Sequence, residues 1–531
     1  MTAATKSSSS LVLTVLAAGQ FVMTLDSSVM NVSMASVAAD LDTTITGIQT
    51  AITLYTLVMA TLMITGGKIG TIMGRRRAFG LGLVIYGIGS FTTGLAPNLA
   101  VLLIGWSLLE GVGAALIMPA IVALVAANFP SERRAAAYGL VAAAGAMAVA
   151  AGPLIGGAVT TFASWRYVFF GEVVIVVMIL LVLRRVNDVP PATARLDLVG
   201  SGLSVVSLGL IVFGVLRSGE WGWVQPKPGA TEIAGLSPVI WLIMGGSVLL
   251  YGFLRWQTHL AATGGDPLVD PGLLRNRQLT GGLTMFFAQF TVQAGVFFTV
   301  PLFLSVVLEL SALQTGLRLV PLSIALLVAA AGIPKVWPRA NPRRVVRVGW
   351  TAMILGILVL VAGMDPGANA AIVAVPMLLM GIGLGALASQ LGAVTVSAVP
   401  DSQSAEVGGL QNTATNLGAS LGTALIGSVL IATLSTSIVA GIQANPDVPA
   451  AVKEQATTEL SAGVPFLSDT QLRAAATDAS LDESTVENIV ELNSDARLDG
   501  LRAALSIAAL LGIAALFFTG SVPREPPAGK T

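Results

Sequence analysis

Three carboxylates stand where an apolar chain has no ordinary use for them. Asp26 lies within the apolar stretch 11–35, Glu110 in the middle of 99–127, and Glu172 within 166–186. A charged side chain at bilayer depth costs about 2.5–3.5 kcal/mol on insertion scales, so residues of this kind are retained for a task. A carboxyl group withdrawn from water holds its proton more firmly and can exchange it near neutral pH. The chain has a single histidine, His259, and no cysteine in 531 residues. Carboxylates are therefore the proton carriers left to it, and disulfides, thiolate catalysis, cysteine-held metals and histidine metal clusters are excluded. We expect Asp26 and Glu110 to carry proton coupling, with Glu172 as a third candidate. The alternatives are a structural hydrogen-bond anchor for Asp26 and a buried arginine or backbone partner for Glu110. No cofactor and no metal is expected.

The C-terminal part of the chain places amides at comparable depth. Gln289 and Gln293 are four residues apart in one apolar run, Gln390 lies in another, and Asn412 and Asn416 share a spacing with Gly408 and Ser420. Residues three or four apart share a helix face, and amides on such a face have to be satisfied inside protein. In the first run Gly19, Met23, Asp26, Met30 and Ser33 form one stripe; methionine adapts its shape to irregular apolar ligands. The expected substrate cavity is thus lined by Met23, Met30, Gln289, Gln293, Gln390, Asn412 and Asn416. Small residues mark a third feature. Ala144, Ala148, Gly152 and Gly156 recur every four residues, a face that lets another helix approach closely. Pro153 removes a backbone hydrogen bond beside it and favours a kink.

These residues need elements that hold them at depth. The chain is 54% hydrophobic and 11% charged, with mean hydropathy +0.84, against roughly 25% charged residues in soluble proteins. Its 28 basic and 28 acidic residues leave no net charge and no basic footprint for a nucleic acid. Runs of roughly 20 apolar residues predict fourteen membrane-spanning helices, at 11–35, 47–66, 78–97, 99–127, 137–161, 166–186, 198–217, 236–257, 279–308, 313–334, 345–364, 371–397, 406–440 and 500–520. Alternate loops carry the arginines: Lys68 with Arg75–Arg77, Arg133-Arg134, Arg184-Arg185, Arg275 with Arg277, and Arg339 to Arg347. That is the pattern of cytoplasmic loops, so both termini are expected inside. The short run Lys6–Ser10 reads as a tail, not a cleaved leader. Segment 441–499 holds eleven acidic residues against Lys453, Arg473 and Arg497. We read it as a solvated acidic lid outside, with small amphipathic helices at 450–462 and 483–492.

The two richest basic loops lie between the second and third helices and between the tenth and eleventh. With helices seven and eight set aside, these become the same loop of two six-helix halves, the mark of a duplicated transporter. Four motifs then stand in order: Leu25-Asp26-Ser27-Ser28-Val29-Met30-Asn31-Val32, Gly67-Lys68-Ile69-Gly70-Thr71-Ile72-Met73-Gly74-Arg75-Arg76-Arg77, Gly152-Pro153-Leu154-Ile155-Gly156-Gly157, and Ser164-Trp165-Arg166. Together they resemble the major facilitator superfamily, and within it the fourteen-helix drug:proton antiporters, over essentially the whole chain. The resemblance implies a major facilitator fold: a half at 1–190, two linker helices at 191–277, and a half at 278–531. It also implies gating roles for Gly67, Gly74, Arg75 and Arg76 and for Gly152, Pro153, Gly156 and Gly157. Three places depart from the family pattern. Thr71 replaces the loop aspartate, Ser107-Leu108-Leu109-Glu110-Gly111 replaces Arg-x-x-Gln-Gly, and Glu172 stands where the family often has Asn.

The expected activity is proton-driven export of amphipathic drugs or related hydrophobic compounds by a monomer that is not an enzyme. An alternative cargo is lipids or cell-envelope precursors. No Gly-x-x-x-x-Gly-Lys-Ser/Thr run offers direct ATP drive, whereas one charge crossing 100 mV releases about 2.3 kcal/mol. Expected partners are the substrate, protons and membrane lipids. Six lysines against twenty-two arginines in an Ala/Gly/Val-rich chain point to a bacterial cytoplasmic membrane.

Overall fold

The computed structural model describes residues 3–129, 131–188, 191, 195–228, 230–337, 339–399, 404–444, 453, 460, 464–478 and 483–525. Among them every long element is a helix. In chain order these are α1 (Ala3–Asp40), α2 (Ile45–Met73), α3 (Arg75–Gly94), α4 (Leu99–Leu102, π-helical Leu103–Glu110, then Gly111–Asn128), α5 (Ser131–Phe162), α6 (Arg166–Leu183) and α7 (Leu198–Trp221). There follow α8 (Pro238–Ala262), α9 (Arg277–Leu302, running into π-helical Phe303–Val307), α10 (Ala312–Val336), α11 (Pro342–Gly363), α12 (Ala374–Val396), α13 (Ser404–Ala444) and α14 (Glu483–Phe518). Thirteen of these are long and apolar enough to cross a membrane. The other, α3, has 20 residues and opens on three arginines, which dilute its hydropathy. The chain is a multi-pass membrane protein.

Local chemistry punctuates the bundle. Thr44, Asn98, Ser237, Asn276, Ser311 and Asn341 cap the helices that follow them, each accepting a backbone N–H, which satisfies donors that a helix start leaves orphaned. Gly74, at φ 99°, turns the chain between α2 and α3 in a conformation that only glycine adopts freely.

Two sets of arginines tie down helix ends at the end of the bundle where α3 and α11 begin. Arg75 donates to the Gly67 carbonyl (2.7 Å) and Thr71 Oγ1 (2.6 Å) at the end of α2. Arg76 binds Asp188 through its backbone N–H (2.8 Å) and the Val186 carbonyl through its guanidinium (3.0 Å), just past α6. At the start of α11, Arg343 donates to the carbonyls of Val522 (2.7 Å) and Gly520 (2.6 Å), and Arg347 to Thr519 Oγ1 (2.9 Å), at the end of α14. The side chains of Arg133 and Arg134 lie outside the described residues.

Two helix pairs join the early and late parts of the chain: α5 packs on α10, and α2 on α13. Helices α7 and α8 pack on each other, and α7 also lies against α2 and α13. At the far end of the bundle the acidic segment departs from expectation. Residues 483–492 are not a separate small helix but the first turns of α14, which runs unbroken for 36 residues. One apolar face explains this, because Val486 and Val490 bury against Leu472 and Ala476 of a short helix at Asp469–Asp478. The run 450–462 falls outside the described residues except at 453 and 460. Arg497, counted as a loop charge, is fully buried in α14. It donates to the carbonyls of Leu467 (2.9 Å) and Val306 (3.3 Å) and pairs with Asp469.

Candidate functional site: a carboxylate triad behind a neutral cavity

Asp26 of α1, Glu110 of α4 and Glu172 of α6 converge. Each is at least 99% buried, and one carboxylate oxygen from each lies within 4.8 Å of the other two. Their donors are uncharged. Trp106 Nε1 lies 2.7 and 2.9 Å from the two oxygens of Asp26. Thr93 donates to Glu110 (3.2 Å), and Ser90 (3.2 Å) and Tyr86 (3.3 Å) donate to Glu172. One oxygen of Glu110 and one of Glu172 have no partner. None of the ion pairs among the described residues involves the three, so Glu110 has no arginine partner. Two charges that close would repel by at least about 3 kcal/mol even at an effective dielectric of 20.

The sequence builds this cluster from close approaches. A Cβ on Gly89 of α3 would stand 2.6 Å from Glu110 Cγ and 2.7 Å from the Gly105 carbonyl, so glycine admits α4 and its carboxylate. The stretch Leu103–Glu110 that carries both Trp106 and Glu110 is π-helical, a widened turn frequent at functional sites.

Beside the triad lies a cavity of about 370 Å³, walled by α1, α2, α4, α5, α9 and α13. Tyr55 and Trp106 are stacked at 4.8 Å with their planes 8° apart. Both line the cavity, whereas the three carboxylates do not, so the aromatic pair partitions the two. Of the expected lining residues, Met23, Gln293, Asn412 and Asn416 reach the cavity. Met30, Gln289 and Gln390 do not. Met30 is buried in the apolar core, and Gln289 is buried with its carbonyl oxygen unpartnered. Gln390 donates to its neighbour Ser389 (3.1 Å). Apart from Met23, the stripe of α1 expected from the sequence points into the protein, where Gly19 meets Phe79 and Asp26 meets Trp106. The face that meets the cavity is Gln20, Thr24, Ser27 and Asn31. Its own spacing of four, three and four residues was the signal, along with the two aromatics that sequence reasoning passed over.

The small-residue motif of α5 works on two neighbours. Cβ atoms on Gly152 and Gly156 would collide with Ser28 and Val29 of α1. On Gly157 a Cβ would stand 2.5 Å from the Ala312 carbonyl oxygen of α10, and one on Gly316 would overlap the carbonyl of Pro153. Leu313 N–H donates to Thr161 Oγ1 (3.0 Å) at the same junction. The α2–α13 junction is polar instead: Gln49 donates to the carbonyls of Thr423 (3.1 Å) and Ala424 (3.2 Å), and Ser420 to that of Thr53 (2.9 Å). Around Gly67 and Gly74, Arg75 reaches the Thr71 hydroxyl, which accepts where the family pattern has an aspartate.

Helices of this number, paired in this way around a cavity between them, have the architecture of a membrane transporter. The chain belongs to the major facilitator superfamily, whose profile it matches over residues 16–423. It is 30% identical over 413 residues to the cephamycin export protein CmcT of Amycolatopsis lactamdurans, covering 76% of this chain and 82% of that one. It is 29% identical over 427 residues to the puromycin resistance protein pur8 of Streptomyces alboniger, covering 78% and 81%. Among solved structures, a bacterial homologue of the human lysosomal transporter Spinster shares the fold with TM-score 0.59 at 15% identity, over 96% of this chain and 97% of that one.

Proposed function

We propose that this protein exports amphipathic, drug-sized compounds across a bacterial cytoplasmic membrane in exchange for protons, by alternating access of two halves at 1–190 and 278–531 around the cavity. The arginine-braced end and both termini face the cytoplasm, and the acidic end faces outside. The observation that carries the reading is the triad: three carboxyls without a countercharge, one step behind the cavity wall. The relatives named for cephamycin export and puromycin resistance support the cargo class. Asp26, Glu110 and Glu172 hold the exchanged protons. Trp106 links them to the cargo, because its ring lines the cavity while its N–H holds Asp26. Gly152, Pro153, Gly156 and Gly157 let α5 close against α1 and α10, and Gly67, Gly74, Arg75 and Arg76 brace the opposite end. The many amides and hydroxyls of the cavity favour a polar-rimmed drug over an acyl chain.

The test is transport in proteoliposomes under an imposed pH gradient. Glu110→Gln is expected to abolish gradient-driven transport while leaving substrate binding intact. Unchanged driven transport in that variant overturns the assignment.

A further inference from the structure

Among the described residues, no aspartate, glutamate, lysine, arginine or histidine lines the cavity. What it offers instead are amides with unspent hydrogen-bonding capacity. Asn412 is bonded through its backbone carbonyl, which accepts from Thr415 (2.8 Å) and from Asn416 Nδ2 (2.9 Å); its side chain is left to the cavity. Asn416 keeps its oxygen, and Gln411 keeps Nε2 after its oxygen accepts from Thr395 (3.0 Å). An amide presents a donor and an acceptor side by side, which matches hydroxyl and carbonyl groups and satisfies no net charge. Phe290 and Phe297 of α9 line the same cavity, and aromatic ligands pack on such rings with a gain beyond area burial.

A cation entering this space would lose its hydration without meeting a counterion, and the ring faces of the wall would offset only part of that cost. Asp26 makes no contact there, since it lies outside the lining with both oxygens on the Trp106 N–H, behind the aromatic partition. An anion would meet no basic side chain at all.

Resting on the exporter reading above, we propose that the cargo is a flat aromatic molecule that binds uncharged and carries hydroxyl and carbonyl groups on its rim, of the hydroxyquinone class, in preference to a lipophilic cation. Its rings lie against the phenylalanines of α9 while the amides of α13 read its rim.

The experiment is binding to the purified full-length protein in lipid nanodiscs without any gradient, followed by quenching of tryptophan fluorescence. A dihydroxyanthraquinone is compared with ethidium and tetraphenylphosphonium. The quinone is expected to bind about tenfold or more tighter than either cation, and ethidium binding as tightly as the quinone overturns the proposal. Asn412→Asp, which sets a carboxylate in the wall, is expected to strengthen ethidium binding and weaken the quinone. A preference left unmoved by that variant also overturns the proposal, because the amides would then not be reading the ligand. Since no gradient is applied, selective binding without driven transport would refute proton-coupled export alone, and driven transport of ethidium would refute the cargo class alone.

Discussion

The early and late parts of the chain are braced alike at their ends and built differently in the middle. At one end, arginines opening α3 hold the chain just after α6, and arginines opening α11 hold the end of α14. At the other, Asp40 at the end of α1 pairs with Arg166 and accepts from Trp165 Nε1 (3.0 Å) at the start of α6. Glu309 after α9 and Asp469 similarly surround Arg497 of α14. Between these matched braces, α1, α4 and α6 bury three carboxylates, while α9 and α13 present neutral amides. The buried carboxylates come from one part alone, but the cavity lining is shared, since Gln20 and Asn31 of α1 stand in it with the amides of α9 and α13; the braces hold helix ends and do not dictate the residues between them.

That comparison can be broken most severely at the seam between the two parts. Gly157→Leu forces a side chain into the Ala312 carbonyl of α10, and overpacking of this kind costs about 1–3 kcal/mol even where neighbours relax. We expect export to fall to background while the protein still inserts and purifies as a folded monomer. Normal efflux from cells carrying the variant would show that α5 and α10 need not close. A sharper cut leaves the seam alone and separates titration from recognition. Trp106→Phe keeps a ring in the cavity wall but removes the N–H on Asp26; a hydrogen bond to a charged group is worth about 1.5–3 kcal/mol. Gradient-driven transport should drop about tenfold, with binding changed by no more than about twofold in equilibrium titration. If binding and driven transport fall together, the aromatic pair belongs to recognition alone.

The smallest effect is expected at the acidic end. Partial burial pushes the carboxyl of Glu309 upward, but hydrogen bonds from the Thr470 N–H and hydroxyl, with Ser468 and the Arg497 guanidinium, outweigh it and hold it below the usual carboxylate range. A group depressed in the folded state stabilises it above its unfolded value and loses that contribution as pH falls through the folded one. Hydrogen exchange in residues 464–478 should therefore rise on acidification below the usual carboxylate range. Glu309→Gln should flatten that rise; an identical pH profile in the variant would show that another group holds the segment.

Much of this was legible in the residues. Apolar run length gave the helices, and the cost of a charge at depth singled out Asp26, Glu110 and Glu172. That the three meet was not legible, because they come from three helices that share no period, brought together by close approaches such as that of α4 to Gly89 of α3. Spacing alone also misjudged direction. Met30 and Gln289 lie on good stripes, but a stripe does not say whether its neighbour is a cavity or another helix. Arg497 was read as solvated because the local charge is acidic; the same acids, folded back, are what allow an arginine to be buried.

The length of the last two long helices has a mechanical consequence. At 1.5 Å per residue, the 41 residues of α13 and 36 of α14 reach about 62 and 54 Å, roughly twice the hydrocarbon thickness of about 30 Å. Near their shared end Gly441 leaves room for the side chain of Leu492, so the two helices pack closely there. If the half that carries them rotates as the proposed alternating access requires, so long a helix pair would turn a small rotation at one end into a larger displacement at the other. Spectroscopic labels placed there, paired with one at the end of α5, would turn the protein into its own gauge of opening and closing.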